Sequence, residues 1–228
     1  MEHGHTVVAP NLAGHGEDKT PFSKITLKTY IDNITDIITS SKKPITLVGH
    51  SMAGIIISQL AENIPDKIDQ LIYVAAFIPG NNESLSQEAR KAKNAGISTE
   101  MIIDEANNEI SIKKSKRVKE LFFNTCHEED SKSSLALLQK EPFRPFIEPI
   151  KISKERFGKV EKLYIECLKD EALKPEDQKR MYTNAECEVT SIANADHSPF
   201  LSTPLELAGA ILGKTLAKQP ETKLTSRI

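Results

Sequence analysis

ITLVGHSMAG, residues 45–54, sets an apolar run directly against a serine flanked by small residues. Residues 45–48 do not alternate between polar and apolar, the mark of a strand covered on both faces in a parallel sheet. MAGIIISQLAENI, residues 52–64, follows at once and reads as a helix that stops before Pro65. In the pattern G-x-S-x-G a strand turns sharply into a helix with the serine at its tip, and small residues two before and two after let the backbones pass closely. Gly49 and Ala53 hold those positions here, alanine standing for the second glycine, and Gly54 follows. The strand–turn–helix context separates this serine from one in an ordinary glycine turn.

On either side of this stretch, strands and helices alternate. HTVVAPNL (5–12) is a β-branched run closed by the turn AGHGED (13–18). Leu27, Tyr30, Ile31, Ile34, Ile37 and Ile38 recur at i, i+3, i+4, i+7 and predict a helix ending near Ser40, with Lys28, Asp32 and Asp36 on its wet side. DQLIYVAAFIP, VEKLYIEC and CEVTSI predict three further strands, with helical PEDQKRMYTN between the last two. This order predicts an α/β protein with a mostly parallel, doubly wound sheet. Thr203-Pro204-Leu205-Glu206 supplies an N-cap, a proline at N1 and a glutamate at N3 for a final helix whose Leu205, Ala208, Ile211, Leu212 and Leu216 are expected to face the sheet. The alternation lapses between 81 and 155 into helical pieces such as SLSQEARKAKNAG and SKSSLALLQK. The expected organisation is therefore a core of residues 1–80 and 156–217, a helical cap of 81–155 and a polar tail of 218–228.

Composition narrows the function. Thirty basic against thirty-two acidic residues leave a net charge of -2, and no dense Lys/Arg cluster offers a nucleic-acid footprint. No uncharged apolar stretch reaches the roughly 18 residues that span a bilayer, and MEHGHTVV lacks the basic start and apolar centre of a signal peptide. A cytoplasmic protein with neither nucleic-acid nor membrane partner is expected. Cys126, Cys167 and Cys187 are odd in number and widely spaced, which predicts reduced structural thiols and no zinc site. No cofactor or metal is assigned. Oligomeric state is not fixed by sequence, and a homodimer is compatible with it.

An elbow serine needs a base and a third group that orients the base, each on a loop after a later strand, in the chain order Ser, Asp/Glu, His. LKD (168–170) follows LYIEC, and ANADH (193–197) follows VTSI. Asp170 alone reads as a solvated loop carboxylate, and His197 alone as a locally satisfied histidine. Together with Ser51 they fit one geometry at the carboxyl edge of the sheet, where open α/β sheets hold their sites. The candidates are thus Ser51 as nucleophile, His197 as proton relay and Asp170 as the residue that fixes the imidazole tautomer. Met52, directly after the nucleophile, carries a candidate oxyanion N–H. His50 is expected to brace the elbow, and Asp196, a rival acid, is poorly placed to hold the ring of the adjacent His197. EHGHT, GHGED with His15, and CHEED with Cys126 and His127 are read as a strand approach, a turn and a solvated acidic loop.

In GHTVVAPNLAGHGEDKTP, ITLVGHSMAG, LIYVAAFIP, ERFGKVEKLYIECLKDEAL and ADHSPF, in that order over nearly the whole chain, the sequence resembles the α/β-hydrolase fold family. The resemblance is to the branch of plant methylesterases, hydroxynitrile lyases and related bacterial esterases. It implies a cofactor-free hydrolase and carries the family triad onto Ser51, Asp170 and His197. Cyanohydrin-cleaving members place a lysine directly after the histidine and an acid before the serine, where this chain has Ser198 and His50, so ester hydrolysis is favoured over lysis. By the same resemblance, roughly 30 residues that would precede GHTVV, with a central strand and an oxyanion loop, are missing, which implies a fragment or a misplaced start, with a shortened sheet that pairs HTVVAPNL directly with ITLVG as the less favoured alternative.

The expected function is a carboxylesterase-type serine hydrolase acting on small apolar esters. The alternatives are a non-catalytic small-molecule binder of the same fold and, less favoured, a hydroxynitrile lyase. Phe122, Phe123, Phe143 and Phe146 cluster in the cap and suggest an apolar lid, with at least two of them expected to form the cap's own core.

Overall fold

The computed structural model describes residues 4–92 and 96–217. Helix α1 (Leu27–Thr39) precedes strand β1 (Ile45–His50), helix α2 (Ala53–Asn63) and strand β2 (Ile68–Val74). Between 81 and 155 come α3 (Leu85–Ala89), β3 (Met101–Asp104), β4 (Glu109–Ile112), α4 (Lys116–Phe122), α5 (Glu128–Leu137), β5 (Glu141–Pro142) and α6 (Arg144–Ile147). The chain then forms β6 (Glu161–Cys167), α7 (Pro175–Asn184), β7 (Glu188–Ile192), α8 (Pro199–Ser202) and α9 (Pro204–Ala217).

β1, β2, β6 and β7 lie side by side in that order, every neighbour parallel. The central strands β2 and β6 are buried almost throughout, which is why LIYV and LYI carry apolar residues without alternation. Alternate residues nevertheless point to opposite faces. Leu71, Tyr73 and Tyr164 pack with α1, α2 and Met181 of α7, whereas Ile72, Val74, Leu163, Ile165 and Ile192 pack with Leu207, Ala210 and Ile211 of α9. Each fully covered aliphatic side chain contributes about 1.5–3 kcal/mol, so the covered faces fix the register. This is the parallel α/β sheet, covered by helices on both faces, that the alternation of elements predicts.

α1 starts where Thr26 accepts from the Thr29 N–H and Thr29 answers the Thr26 N–H, a reciprocal cap that closes two otherwise orphaned donors. Its Leu27, Tyr30, Ile31 and Ile38 are buried, but Ile37 is more than a third exposed. Two other expectations need correction. HTVVAPNL forms no strand: residues 5–12 have no ladder partner among the described residues, and Val7 and Val8 are 73% and 66% exposed. β-branched residues favour a strand only where a neighbouring strand takes their N–H and C=O groups. α9 begins at Pro204 as its proline predicts, but Leu205 is 87% exposed and Ala208 is exposed as well, while Leu207, Ala210 and Ile211 meet the sheet. A helix this rich in alanine and leucine carries two overlapping apolar stripes, and docking at the β7 edge chooses between them. The side chain of Leu216 and the 218–228 tail lie outside the described residues.

Of the helices expected between 81 and 155, SKSSLALLQK lies largely in α5, but SLSQEARKAKNAG is α-helical only over Leu85–Ala89, and residues 93–95 lie outside the described residues; the segment also holds a small antiparallel sheet of order β3-β4-β5 that its residue pattern does not announce. MIID shows no alternation, and both Ile102 and Ile103 are about half exposed, so neither period was visible. The β3–β4 turn ends on Asn108, buried in the left-handed region at φ 56. Its amide donates to the carbonyls of Phe22 and Ile25 and accepts from the Arg144 N–H (2.7 Å), tying the hairpin to both the N-terminal segment and α6. Asn108→Ala removes all three bonds and leaves a β-carbon in a strained conformation, so unfolding in urea is expected to show a loss of about 2–4 kcal/mol. Asn108→Gly, which relieves the strain but not the lost bonds, should recover only part of it.

Candidate active site

Ser51, Asp170 and His197 each lie just beyond the carboxyl end of a parallel strand: β1, β6 and β7 in turn. Parallel pairing puts all three ends on one rim of the sheet, so residues 119 and 27 positions apart in the chain become neighbours. The Ser51 Oγ lies 3.0 Å from the His197 Nε2, and the His197 Nδ1 lies 2.7 Å from the Asp170 Oδ2.

Ser51 sits at φ 51, in the left-handed region, a conformation that costs a residue other than glycine of order 1 kcal/mol or more. Neighbouring backbone over-determines it. The Ser51 N–H donates to the Val74 carbonyl at the end of β2, and the Ser51 carbonyl accepts from Gly54 and Phe77. A β-carbon on Gly54 would lie 2.3 Å from the Phe77 carbonyl oxygen, and one on Gly49 would crowd Ile57 and the Ala53 carbonyl. The tightest crossing is thus at Gly54, one position beyond the alanine that the sequence pattern singled out. Ala75, also at positive φ, bonds the Ile165 carbonyl, and the Tyr164 hydroxyl donates to the Ala76 carbonyl, so β6 pins the segment that grips the elbow.

Asp170 is buried, with Oδ1 accepting from the Ala172 and Leu173 N–H groups at 2.8 and 2.7 Å. That leaves Oδ2 turned to the imidazole. A residue the sequence reading passed over supports it: Gln178, fully buried on α7, brackets Cys167 through both its backbone groups, donates to the Leu173 carbonyl and reaches the Asp170 Oδ2 at 3.5 Å. Its signal was a glutamine three residues before Met181, on the buried stripe of α7.

His50 also faces His197. Its Nε2–H donates to the His197 carbonyl at 2.7 Å, and its ring lies 4.9 Å from the His197 ring. It therefore braces the histidine loop rather than the elbow alone. Desolvation, with the neighbouring His197 second, pulls the His50 pKa down from 6.5 to about 3, so the ring is a neutral donor at physiological pH. Asp196 does not touch the His197 ring; it bonds the Thr125 and Ser198 N–H groups. Phe122, at the end of α4, stacks on the imidazole with centroids 5.3 Å apart and planes 21° from parallel. Phe123, buried, meets the Phe122 ring edge-on, and Phe146 packs on the main core; of the four phenylalanines of the cap, Phe122 has its ring on the imidazole.

Met52 opens α2, its carbonyl accepting from the Ile55 N–H, which sets its own N–H at the helix start beside Ser51. A helix N-terminus favours a developing negative charge. His15 bonds the Ala13 carbonyl within a turn held by Asp18, and His127 precedes the acidic first turn of α5. Among the described residues no three His, Cys, Asp or Glu side chains converge to hold a metal ion, and no helix is long and apolar enough to cross a membrane. All three cysteines are free thiols whose pKa values burial pushes up, Cys126 and Cys187 to about 12.

The model of the family described as "Alpha/beta hydrolase family" matches residues 1–210. The chain belongs to that family. Three chloroplastic relatives from Arabidopsis thaliana are 28–32% identical over 92% of this α/β-hydrolase, which spans 57–64% of their length. Methyl jasmonate esterase 1 of Vitis vinifera is 28% identical over 218 residues, 90% of this chain and 84% of that one. Among solved structures, a pyrethroid hydrolase from Sphingobium faniae JZ-2 superposes with a TM-score of 0.83 at 26% identity, covering 95% of this chain and 88% of that one.

The depressed pKa of His50 gives a pH test of the fold. Below pH 6.5 the unfolded chain takes up a proton that the folded His50 refuses until about pH 3, so unfolding becomes easier as pH falls through that window. Urea unfolding between pH 7 and 4 should show the loss, and His50→Gln should remove about one proton from the slope.

Proposed function

We propose that this α/β-hydrolase is a serine esterase that cleaves small apolar carboxylic esters through an acyl-enzyme. The observation that carries the reading is the continuous chain from the Ser51 hydroxyl through the His197 imidazole to the Asp170 carboxylate, on an elbow that holds the serine strained. His197 takes the Ser51 proton as Oγ bonds to the acyl carbon, and the Met52 N–H faces the oxygen that becomes negative. The protonated imidazole, stabilised by Asp170, then gives its proton to the departing alcohol. A water activated by the same ring releases the acid and restores Ser51. Relatives named methylesterase, methyl jasmonate esterase and pyrethroid hydrolase support an ester as the substrate.

Residues 81–155 act as the cap in this reading, and Phe122 brings their apolar surface onto the imidazole. Residue 198 is a serine whose N–H is taken by Asp196, so this position offers no cation to hold a leaving cyanide. That favours hydrolysis over lysis.

Incubation with a fluorophosphonate should label Ser51, and short p-nitrophenyl esters should release p-nitrophenol. Ser51→Ala should abolish labelling and lower kcat by about 10^4-fold or more. Undiminished turnover in that variant would refute the assignment, while labelling without turnover in the parent protein would favour the non-catalytic binder. Phe122→Ala, which removes the stack on His197, should lower kcat/KM by about 10-fold and change the preference among acyl chain lengths. An unchanged preference would remove Phe122 from the substrate wall.

A further inference from the structure

Asp196 is fully buried and takes no part in the relay, yet four donors converge on its carboxylate. The Thr125 N–H (2.9 Å) and the Cys126 thiol (3.4 Å) meet Oδ2; the Ser198 N–H and the Ser202 hydroxyl, both at 2.9 Å, meet Oδ1. Two of these come from the α4–α5 connection and two from the stretch that follows His197. All four are neutral, so the burial of this charge rests on the donors being presented together. A carboxylate suits the position because it is acceptor-only, whereas a carboxamide of the same shape would turn an NH2 group toward one of the two backbone N–H groups.

The same connection reaches the other loop of the site. The Asn124 side chain donates to the Lys169 carbonyl at 3.0 Å, and the Lys169 N–H donates to the Ala195 carbonyl at 2.8 Å. Phe122, two residues earlier, lies on the face of the His197 ring. Residues 122–126 therefore touch the loop of Asp170, the residue before His197 and the imidazole itself. His50 in turn holds the His197 carbonyl.

We propose that Asp196 is a positioning residue that fastens the 122–126 segment of the cap to the loop bearing His197, so that seating of the cap sets the imidazole in line with Ser51. This rests on the reading of Ser51 and His197 as nucleophile and base. The carboxylate acts through His197 and touches neither substrate nor the reacting atoms. Displacing a general base by about 1 Å costs on the order of 10²-fold in rate without weakening substrate binding to match.

The test is Asp196→Asn in the full chain, with p-nitrophenyl butyrate turnover normalised to sites titrated by fluorophosphonate. The expected result is a kcat about 10- to 100-fold lower with KM within about threefold, and a matching fall in the rate at which fluorophosphonate labels Ser51. A variant that melts earlier but keeps its kcat per titrated site, and its labelling rate, overturns the proposal and leaves the serine-esterase reading intact. If Asp196→Asn does not fold, the double variant Cys126→Ala/Ser202→Ala, which takes one donor from each oxygen, decides instead. A kcat lowered severalfold at unchanged KM supports the proposal, and an unchanged kcat overturns it. A parent protein that neither labels nor hydrolyses removes the reading of Ser51 and His197, and the positioning role with it.

Discussion

The backbone crossing at the elbow is the constraint from which the rest of the site follows. Ser51 can stand in the left-handed region only because its N–H and C=O are taken by Val74, Gly54 and Phe77, and Phe77 can come that close only because residue 54 has no side chain. The strain is local, of order 1–3 kcal/mol, and is held by β1, β2 and α2 together. Loosening any of these contacts would let the serine relax toward an ordinary turn, carrying its hydroxyl away from the imidazole.

Around that fixed point the structure uses two buried aspartates for different ends. Asp170 has one oxygen occupied by backbone N–H groups and the other turned to the Nδ1 of His197. Asp196 has both oxygens occupied by neutral donors from two segments, so its charge joins parts of the chain and leaves the ring alone. Hydrogen-bond partners, rather than residue type or distance along the chain, separate the two. His50 and Gln178 complete the support, each a polar side chain whose bonds run mainly to backbone and thereby hold loops in place.

Much of this was legible in the residues. α7 spans Pro175–Asn184, the whole of PEDQKRMYTN, because its proline and acidic first turn suit a helix start and its period is clear. The apolar runs that became β1, β2 and β6 were legible for a related reason: burial on two faces leaves little room for polar residues. Val7 and Val8 carried the same β-branched signal, yet they stand exposed in a segment without a ladder. The β3–β4 hairpin was invisible because a partly exposed ribbon with Ile102 and Ile103 side by side obeys neither a period of two nor one of 3.6.

The alternation of strand and helix, the serine between small residues, and an acid and a histidine each following a strand can be read from residue order alone, because these are local patterns of size, charge and period. The distances of 3.0 and 2.7 Å that join Ser51, His197 and Asp170, the face that α9 buries, and the partners of His50, Gln178 and Asp196 are set by the packing of distant segments. These depend on groups as far as 147 positions apart in the chain, brought together when parallel strands align their carboxyl ends. Which of several equivalent polar atoms a side chain then meets is settled by packing, which a one-dimensional pattern does not contain.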